Sequence, residues 1–246
     1  MVIDYKKGLF ALNANFFTGM RHGIPIALGY LSVSFGFGIM AVKSGLSVLT
    51  AAIISTTNLT SAGQAAGVGI IAACGTLLEM VLTQLTINIR YALMAVSLSQ
   101  KLDDGFTTPH RLLASYGITD EIFAVASAQP GKITPSYMYG LILISALGWI
   151  SGTTLGAAAG QILPAAISDA MGIVLYGMFL AIIIPPAKKS RSILLVVLFA
   201  AAISLVLTYA FPAISGGFVV IISAVVSAAA VAALFPVNEE EEEAAV

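Results

Sequence analysis

Long runs of hydrophobic residues, each ended by a short polar or charged segment, make up most of the chain. Their approximate limits are 23–42, 46–73, 76–99, 115–125, 137–163, 166–185, 192–209 and 217–235. About 20 apolar residues in a helix cross the roughly 30 Å hydrocarbon core of a bilayer. The pattern therefore predicts an all-α, polytopic membrane protein with about seven or eight transmembrane helices.

The second run is interrupted by a polar, glycine-containing segment from Ser55 to Gln64. This interruption predicts a discontinuous helix whose second half begins near Ser61. Backbone N–H groups at the start of such a half-helix suit a substrate carboxylate. The predicted binding residues here are Asn58, Ser61, Gly63 and Gln64. The alternative is a continuous helix with a stripe of Ser and Thr hydroxyls bonded to its own carbonyl groups.

The third run includes an apolar stretch from Thr86 to Leu98 that carries Asn88 and Arg90 near its start. A charged side chain at membrane depth costs at least ~2.5–3.5 kcal/mol, so it usually has a partner and a role. The alternative is that Arg90 lies near a helix end and extends to the lipid headgroups. Glu79 precedes Arg90 by eleven residues, which places both on nearly the same helix face about 16 Å apart. We expect Asn88 and Arg90 to contact substrate.

Two adjacent acids, Asp120 and Glu121, lie in the fourth run. Adjacent helical residues point about 100° apart, so the two carboxylates face different partners. One is expected to neutralise Arg90, and the other to hold or release a proton, because burial and a like-charged neighbour both favour a protonated carboxyl. Glu79 is a further candidate for proton coupling or an ion pair. The alternative is that Asp120 caps a helix beginning beside Thr119.

Charge along the chain predicts its orientation and its segments. Residues 1–22 form a basic, amphipathic N-terminal segment, 23–236 a single transmembrane transport domain, and 237–246 an acidic, disordered tail. Basic residues concentrate on the cytoplasmic side of membrane proteins. The N-terminus and the basic loop at Lys188, Lys189 and Arg191 are therefore predicted to be cytoplasmic, in a multi-pass protein of the cytoplasmic (inner) membrane.

Six predicted crossings before the basic loop form two groups of three, which allows a 3+3 inverted repeat. The mixed-charge loop at 101–111 then falls outside the cell. In the fifth run, Gly148, Gly152, Gly156 and Gly160 recur every fourth residue, which predicts a face for close helix packing.

Several kinds of chemistry have no support in the sequence. His22 and His110 are isolated and Cys74 is alone, so no metal site is expected. We find no nucleophile–base pair and no nucleotide-binding loop, which argues against an enzyme and against a catalytic residue or cofactor. The energy for transport must then come from a gradient or from another chain.

An ordered set of motifs over about residues 15–236 resembles the AzlC family of branched-chain amino-acid exporters. The motifs are Arg21-His-Gly23-Ile-Pro25-Ile-Ala-Leu-Gly29-Tyr, Ser61-Ala-Gly63-Gln64, Asn88-Ile-Arg90-Tyr-Ala-Leu-Met, Thr119-Asp120-Glu121-Ile-Phe123 and Trp149 with Gly152-Thr and Gly156. The resemblance implies a permease subunit that exports valine, leucine, isoleucine and sometimes methionine with a small membrane protein of the AzlD type. Asn58-Leu-Thr60-Ser61 is more polar than the family pattern, and the acidic tail is no family feature.

An amino-acid substrate needs donors for its carboxylate, an acceptor for its ammonium group and an apolar pocket. Arg90 or the N–H groups near Ser61 would serve the carboxylate, and Asp120 or Glu121 with Asn88 the ammonium. The expected partners are the amino acid, the lipid bilayer and the small subunit, with no nucleic acid. The alternative is a membrane scaffold or channel-like subunit whose buried charges are structural.

Overall fold

Ten α-helices follow one another in the described part of the computed structural model, which covers residues 2–160 and 162–235. Side chains are described from residue 15 onward, except at 165, 167–169, 171, 172, 174, 175, 178 and 182. The helices are α1 (Val2–Lys43), α2 (Val48–Thr57), α3 (Ser61–Ala72), α4 (Leu77–Ser99), α5 (Thr108–Ser115), α6 (Asp120–Ser127), α7 (Pro135–Ala159), α8 (Ala165–Lys189), α9 (Arg191–Ala210) and α10 (Gly216–Leu234). The predicted tail at 237–246 lies outside the described residues.

The described residues contain no strand, which confirms the predicted all-α class. Five described helices are long and apolar enough to cross a membrane: the Asn15–Lys43 part of α1, then α4, α7, α9 and α10. Two shorter apolar helices, α2 and α3, fill the second hydrophobic run. The chain is therefore a polytopic α-helical membrane protein.

The predicted break in the second run is present. α2 ends at Thr57, and Asn58 leaves the helix with an extended backbone while its N–H still bonds Ile54. α3 then begins at Ser61, the residue predicted to start the second half-helix.

The fourth run differs from the prediction, because it does not form a single crossing helix. α5 and α6 have eight residues each and are about 12 Å long, well short of a bilayer core. The Thr119 hydroxyl accepts the N–H of Ile122 and so starts α6 at Asp120. Gly117, in the turn before it, packs so tightly on Ile142 that a side chain would clash.

The first and seventh helices form the central pair of the fold. Gly148, Gly152 and Gly156 face the backbone of α1, where a Cβ atom on any of them would clash with the α1 chain. The predicted packing role of this glycine face is thus confirmed. Gly19 of α1 packs equally closely on the Tyr137 carbonyl group. Because α1 is continuous from Val2 to Lys43, the predicted segment boundary after residue 22 falls inside this helix.

The chain forms two compact units, and the predicted transport domain at 23–236 stays a prediction. The first consists of Met1–Ala65 and Asn88–Leu175, and its buried core includes Phe37, Ile122 and Trp149. The second consists of Ala66–Ile87 and Tyr176–Val246, and within it α9 packs on α10.

Candidate functional site

Arg90 is held by Asp120 in the first unit. Its Nη1 atom lies 2.6 Å from each of the two Asp120 carboxylate oxygens. The two side chains are 38% and 27% exposed, so the ion pair is neither fully buried nor freely solvated. Tyr91 supports the guanidinium, with its ring centroid 4.8 Å from the Arg90 Cζ atom and its hydroxyl 3.3 Å from Nη2. Arg90 is therefore anchored within the protein.

Glu121 takes a different direction from Asp120. Its Oε2 atom accepts a hydrogen bond from the buried Tyr30 hydroxyl of α1 at 2.5 Å. The same hydroxyl lies 2.6 Å from the Thr119 Oγ1 atom. The Tyr30 ring meets the Trp149 ring edge to face at 5.3 Å between centroids. At the start of α6, Asp120 therefore pairs with Arg90 and Glu121 hydrogen-bonds Tyr30.

The position of both acids in the first turn of α6 is electrostatically favourable. Unpaired N–H groups and the positive end of the helix dipole stabilise negative charge there. The side chain that caps the helix is Thr119 rather than Asp120. Asp120 is therefore the first helical residue and remains available to Arg90.

Gln64 ties the broken helix to α7. Its Oε1 atom accepts hydrogen bonds from Ser55 Oγ and from Trp149 Nε1, both at 3.2 Å, and its Nε2 atom donates to the Asn58 carbonyl group. Ser55 continues the network to Thr153 at 2.8 Å between hydroxyl oxygens. Gln64 is 2% exposed, so in this conformation the residue predicted to bind substrate holds the break in place.

The N–H groups at the start of α3 are partly occupied by the preceding loop. Gly63 donates to Thr60 Oγ1 at 3.2 Å, Gln64 donates to the Thr60 carbonyl group at 2.9 Å, and Thr60 donates to Asn58 Oδ1 at 3.2 Å. Ser61 is half-buried at the same helix start.

Two predicted residues, Asn88 and Glu79, take no part in the contacts described so far. Asn88 is half-buried two positions before Arg90, and side chains two apart on a helix do not face each other. Glu79 belongs to the second unit, where it accepts hydrogen bonds from Ser215 and Gly217.

Sequence reasoning missed Tyr30, whose hydroxyl connects Glu121 to α1. One signal was present, because a tyrosine inside an apolar run carries a hydroxyl that normally finds a partner when buried. The same argument applies to the indole N–H of Trp149, which meets Gln64. No group of three side chains suited to a metal occurs among the described residues.

Residues 25–163 match the AzlC protein family, and this match covers more than half of the 246 residues. The chain belongs to the AzlC family. It is similar to inner membrane protein YgaZ of Escherichia coli K12, with 27% identity over 81% of this chain and 84% of the relative. An uncharacterized membrane protein of Archaeoglobus fulgidus is 31% identical over 72% of this chain and 78% of the relative. No solved structure is a significant match.

These relatives agree with the apolar helices in placing the chain in a membrane. Family membership and the membrane relatives support a transport-related role. The matched region contains Tyr30, Arg90, Asp120 and Glu121, so the charged cluster belongs to the family portion of the chain.

Proposed function

We propose that this chain is the large subunit of a secondary transporter that exports branched-chain or other apolar amino acids across the cytoplasmic membrane. Export is driven by the proton gradient and requires a small membrane partner of the AzlD type. The observation that carries the proposal is the half-exposed Arg90–Asp120 pair with Glu121 directly beside it. No step needs a cofactor or covalent catalysis, and the chain is not an enzyme.

An ion pair of this kind matches the charges of an amino-acid zwitterion. When substrate enters, its carboxylate takes the place of Asp120 at the Arg90 guanidinium, and its ammonium group takes the place of Arg90 at Asp120. The exchange leaves no buried charge without a partner, which limits the cost of opening the pair. Planar, bidentate recognition of a carboxylate is a task to which arginine is well suited.

The proton is assigned to Glu121. This carboxyl lies next to Asp120 in sequence but bonds Tyr30 instead of a cation, so gaining a proton does not remove a charge from Arg90. Tyr30 lies in α1 and Glu121 in α6. Protonation would weaken their hydrogen bond, because a neutral carboxyl is a poorer acceptor than a carboxylate, and this would change how the two helices are held. This connects the charge of one side chain to the arrangement of the site.

The apolar side chain of the substrate requires an apolar binding surface close to Arg90. The half-buried residues proposed for it are Phe35, Tyr91, Met94 and Phe123. They offer aromatic and thioether surfaces without a charge, which favours leucine, isoleucine, valine or methionine over a polar amino acid.

Efflux of labelled leucine from preloaded vesicles tests the proposal. Vesicles with the chain and its small partner are expected to lose label faster than vesicles without them, and excess unlabelled valine should slow the loss. Arg90→Ala should abolish the difference because the substrate carboxylate loses its counter-charge. Normal transport by Arg90→Ala would rule out this site.

A second candidate function is a scaffold or channel-like subunit, and the fully paired state of Arg90 favours it. In that case the charges are needed only to satisfy each other. Arg90→Glu combined with Asp120→Arg keeps one charge of each sign but reverses their positions. Recovered folding with full activity would support the structural role, whereas recovered folding without transport supports substrate recognition.

A further inference from the structure

A cavity of about 240 Å³ in the first unit has no role in the proposed function. Its lining comes from the last two turns of α4, the loop that follows, α5, the turn before α6 and the first turn of α7. Among the described lining residues, eight are apolar, three carry a hydroxyl group, and Arg111 alone is charged. Leu98, Phe106 and Met138 are buried in its wall, whereas Arg111 is exposed. The cavity is therefore an apolar space with one cation at its edge.

The cavity lies where membrane-spanning helices end. α4 ends at Ser99 and α7 begins at Pro135, and both helices are long and apolar enough to cross a bilayer. Backbone hydrogen bonds join the start of the loop at 101–111 to the segment just before α7. His22 of α1 hydrogen-bonds Tyr137, in the first turn of α7, at 3.0 Å. This loop therefore lies at the same end as the basic N-terminal part of α1, contrary to the expectation that it faces the opposite side.

The Arg111 side chain is only partly used within the protein. Its Nε atom donates to the Phe106 carbonyl group at 3.2 Å, while neither Nη atom donates to a residue that the structure describes. The hydroxyl groups of Ser99 and Ser115 bond carbonyl groups of their own helices at 2.6 and 2.7 Å. The guanidinium thus keeps both of its NH₂ groups for a ligand at the edge of the cavity.

The first turn of α5 carries uncompensated positive charge. The helix begins at Thr108, Arg111 is its fourth residue, and this turn contains no acid. Thr107 precedes the helix but makes no side-chain hydrogen bond to its free N–H groups. Asp103 and Asp104, in the loop before it, form no ion pair with Arg111. A cation beside the positive end of a helix dipole is unfavourable unless an anion compensates both.

The outer face of α5 is suited to contact lipid. Leu112 and Leu113 follow Arg111 and are 69% and 63% exposed, and Leu112 also lines the cavity. Exposed leucines beside a cationic group are typical of a helix that lies at the membrane interface. The cavity is therefore accessible from the lipid side.

We infer that this cavity binds an anionic phospholipid of the surrounding bilayer. One acyl chain fills the apolar space, and the phosphate accepts hydrogen bonds from the Arg111 guanidinium at the start of α5. Arginine suits phosphate because its planar group donates two parallel hydrogen bonds, and basic pockets beside membrane helices bind anionic headgroups. A zwitterionic headgroup fits less well, because the described lining offers no acid to its cationic group. The inference does not depend on the proposed function.

Native mass spectrometry of the purified full chain in a neutral detergent tests the site without measuring transport. The probes are dioleoyl phosphatidylglycerol, dioleoyl phosphatidylcholine and glycerol 3-phosphate. The first phosphatidylglycerol should bind about tenfold more tightly than phosphatidylcholine, whose choline cation would lie beside the guanidinium without an acidic partner. Glycerol 3-phosphate should bind at least about 100-fold more weakly than phosphatidylglycerol, because it lacks the chain that fills the cavity.

Two variants with matched controls locate the lipid. Arg111→Gln should weaken the first phosphatidylglycerol at least about tenfold, because it loses the charge-assisted hydrogen bonds to phosphate. Its control is Lys132→Gln, at an exposed cation whose Nζ atom bonds the Gln100 carbonyl group at 2.9 Å near the same loop. Ala95→Phe fills the cavity and should weaken binding by a similar factor with Arg111 unchanged. Its control is Ala92→Phe, at an exposed α4 position that does not line the cavity. Both controls should bind as the wild type does.

Three results would overturn the inference. The first is equal affinity of the wild-type protein for the two lipids, and the second is wild-type affinity in Arg111→Gln. The third is wild-type affinity in Ala95→Phe, since the acyl chain would then lie elsewhere. If Arg111→Gln does not fold, the comparison of Ala95→Phe with Ala92→Phe provides the test.

Discussion

At the scale of single residues, the energetics of Arg90 depend on its half-exposed position. Exposed ion pairs contribute about 0–1 kcal/mol, whereas removing one partner of a buried pair costs about 3–5 kcal/mol. With side chains 38% and 27% exposed, the Arg90–Asp120 pair lies between these limits. The guanidinium still contacts the Tyr91 ring when Asp120 is replaced, which lowers the free-energy cost of losing the ion pair.

Asp120→Asn is therefore expected to lower the free energy of unfolding by about 1–3 kcal/mol. Asp104→Asn, at an exposed loop carboxylate, provides the control and should change it by less than about 0.5 kcal/mol. Denaturant unfolding of the purified protein measures both. Equal stability of the two variants would show that the ion pair contributes nothing.

Loss of the Tyr30 hydroxyl is expected to change both the stability of the protein and its rate of leucine efflux. Tyr30→Phe keeps the ring against Trp149 but removes the donor to Glu121, which should cost about 1–3 kcal/mol and slow leucine efflux. Tyr139→Phe also removes a hydroxyl that bonds a titratable side chain, His110 at 2.6 Å, outside the site. Its efflux should remain normal. Equal efflux by both variants would exclude Tyr30 from the mechanism.

At the scale of helices, close contact between α1 and α7 depends on glycine. Gly156→Ala would drive a Cβ atom into the Phe35 carbonyl group and should destabilise the protein by about 3 kcal/mol. Gly29→Ala is the matched control, because nothing lies within 4 Å of its Cβ position. It should stabilise α1 by about 0.5–1 kcal/mol. Thermal unfolding in detergent compares them, and similar Tm values would contradict the packing argument.

The interruption of helices was predicted at one place and was only an alternative interpretation at another. The break before Ser61 follows from a polar segment inside a long apolar run, which a sequence shows directly. A helix start at Asp120 was only the alternative, because the apolar residues on both sides favoured one continuous run. The packing of Gly117 on Ile142 and the cap by Thr119 establish the break. The physical reason is that a helix end depends on tertiary contacts as well as on local pattern.

The partners within the charged cluster also depend on tertiary contacts that the local sequence does not show. A charge at membrane depth requires a partner, so the sequence alone pointed from Arg90 to Asp120 or Glu121. It could not choose between them, because the choice depends on where α6 begins. It also grouped Gln64 with the substrate ligands, whereas its buried amide is used to hold Ser55, Trp149 and the Asn58 carbonyl group.

At the scale of the whole molecule, the basic loop near residue 190 is predicted to lie on the cytoplasmic side of the membrane. On a Cys74→Ser background, a cysteine at Ser190 should react with an impermeant maleimide in inside-out vesicles only. Labelling of Ser190 in right-side-out vesicles only would place the basic loop outside the cell and contradict this orientation.

The central claim is that Glu121 carries the proton while Arg90 binds the substrate, and one vesicle experiment separates these roles. Leucine exchange at equal pH needs only the substrate site, whereas net efflux driven by a pH gradient also needs the proton site. Glu121→Gln should keep exchange within about twofold of wild type but lose at least about 90% of gradient-driven efflux, and Arg90→Ala should lose both. Gradient-driven efflux by Glu121→Gln at the wild-type rate, or exchange by Arg90→Ala, would contradict the account.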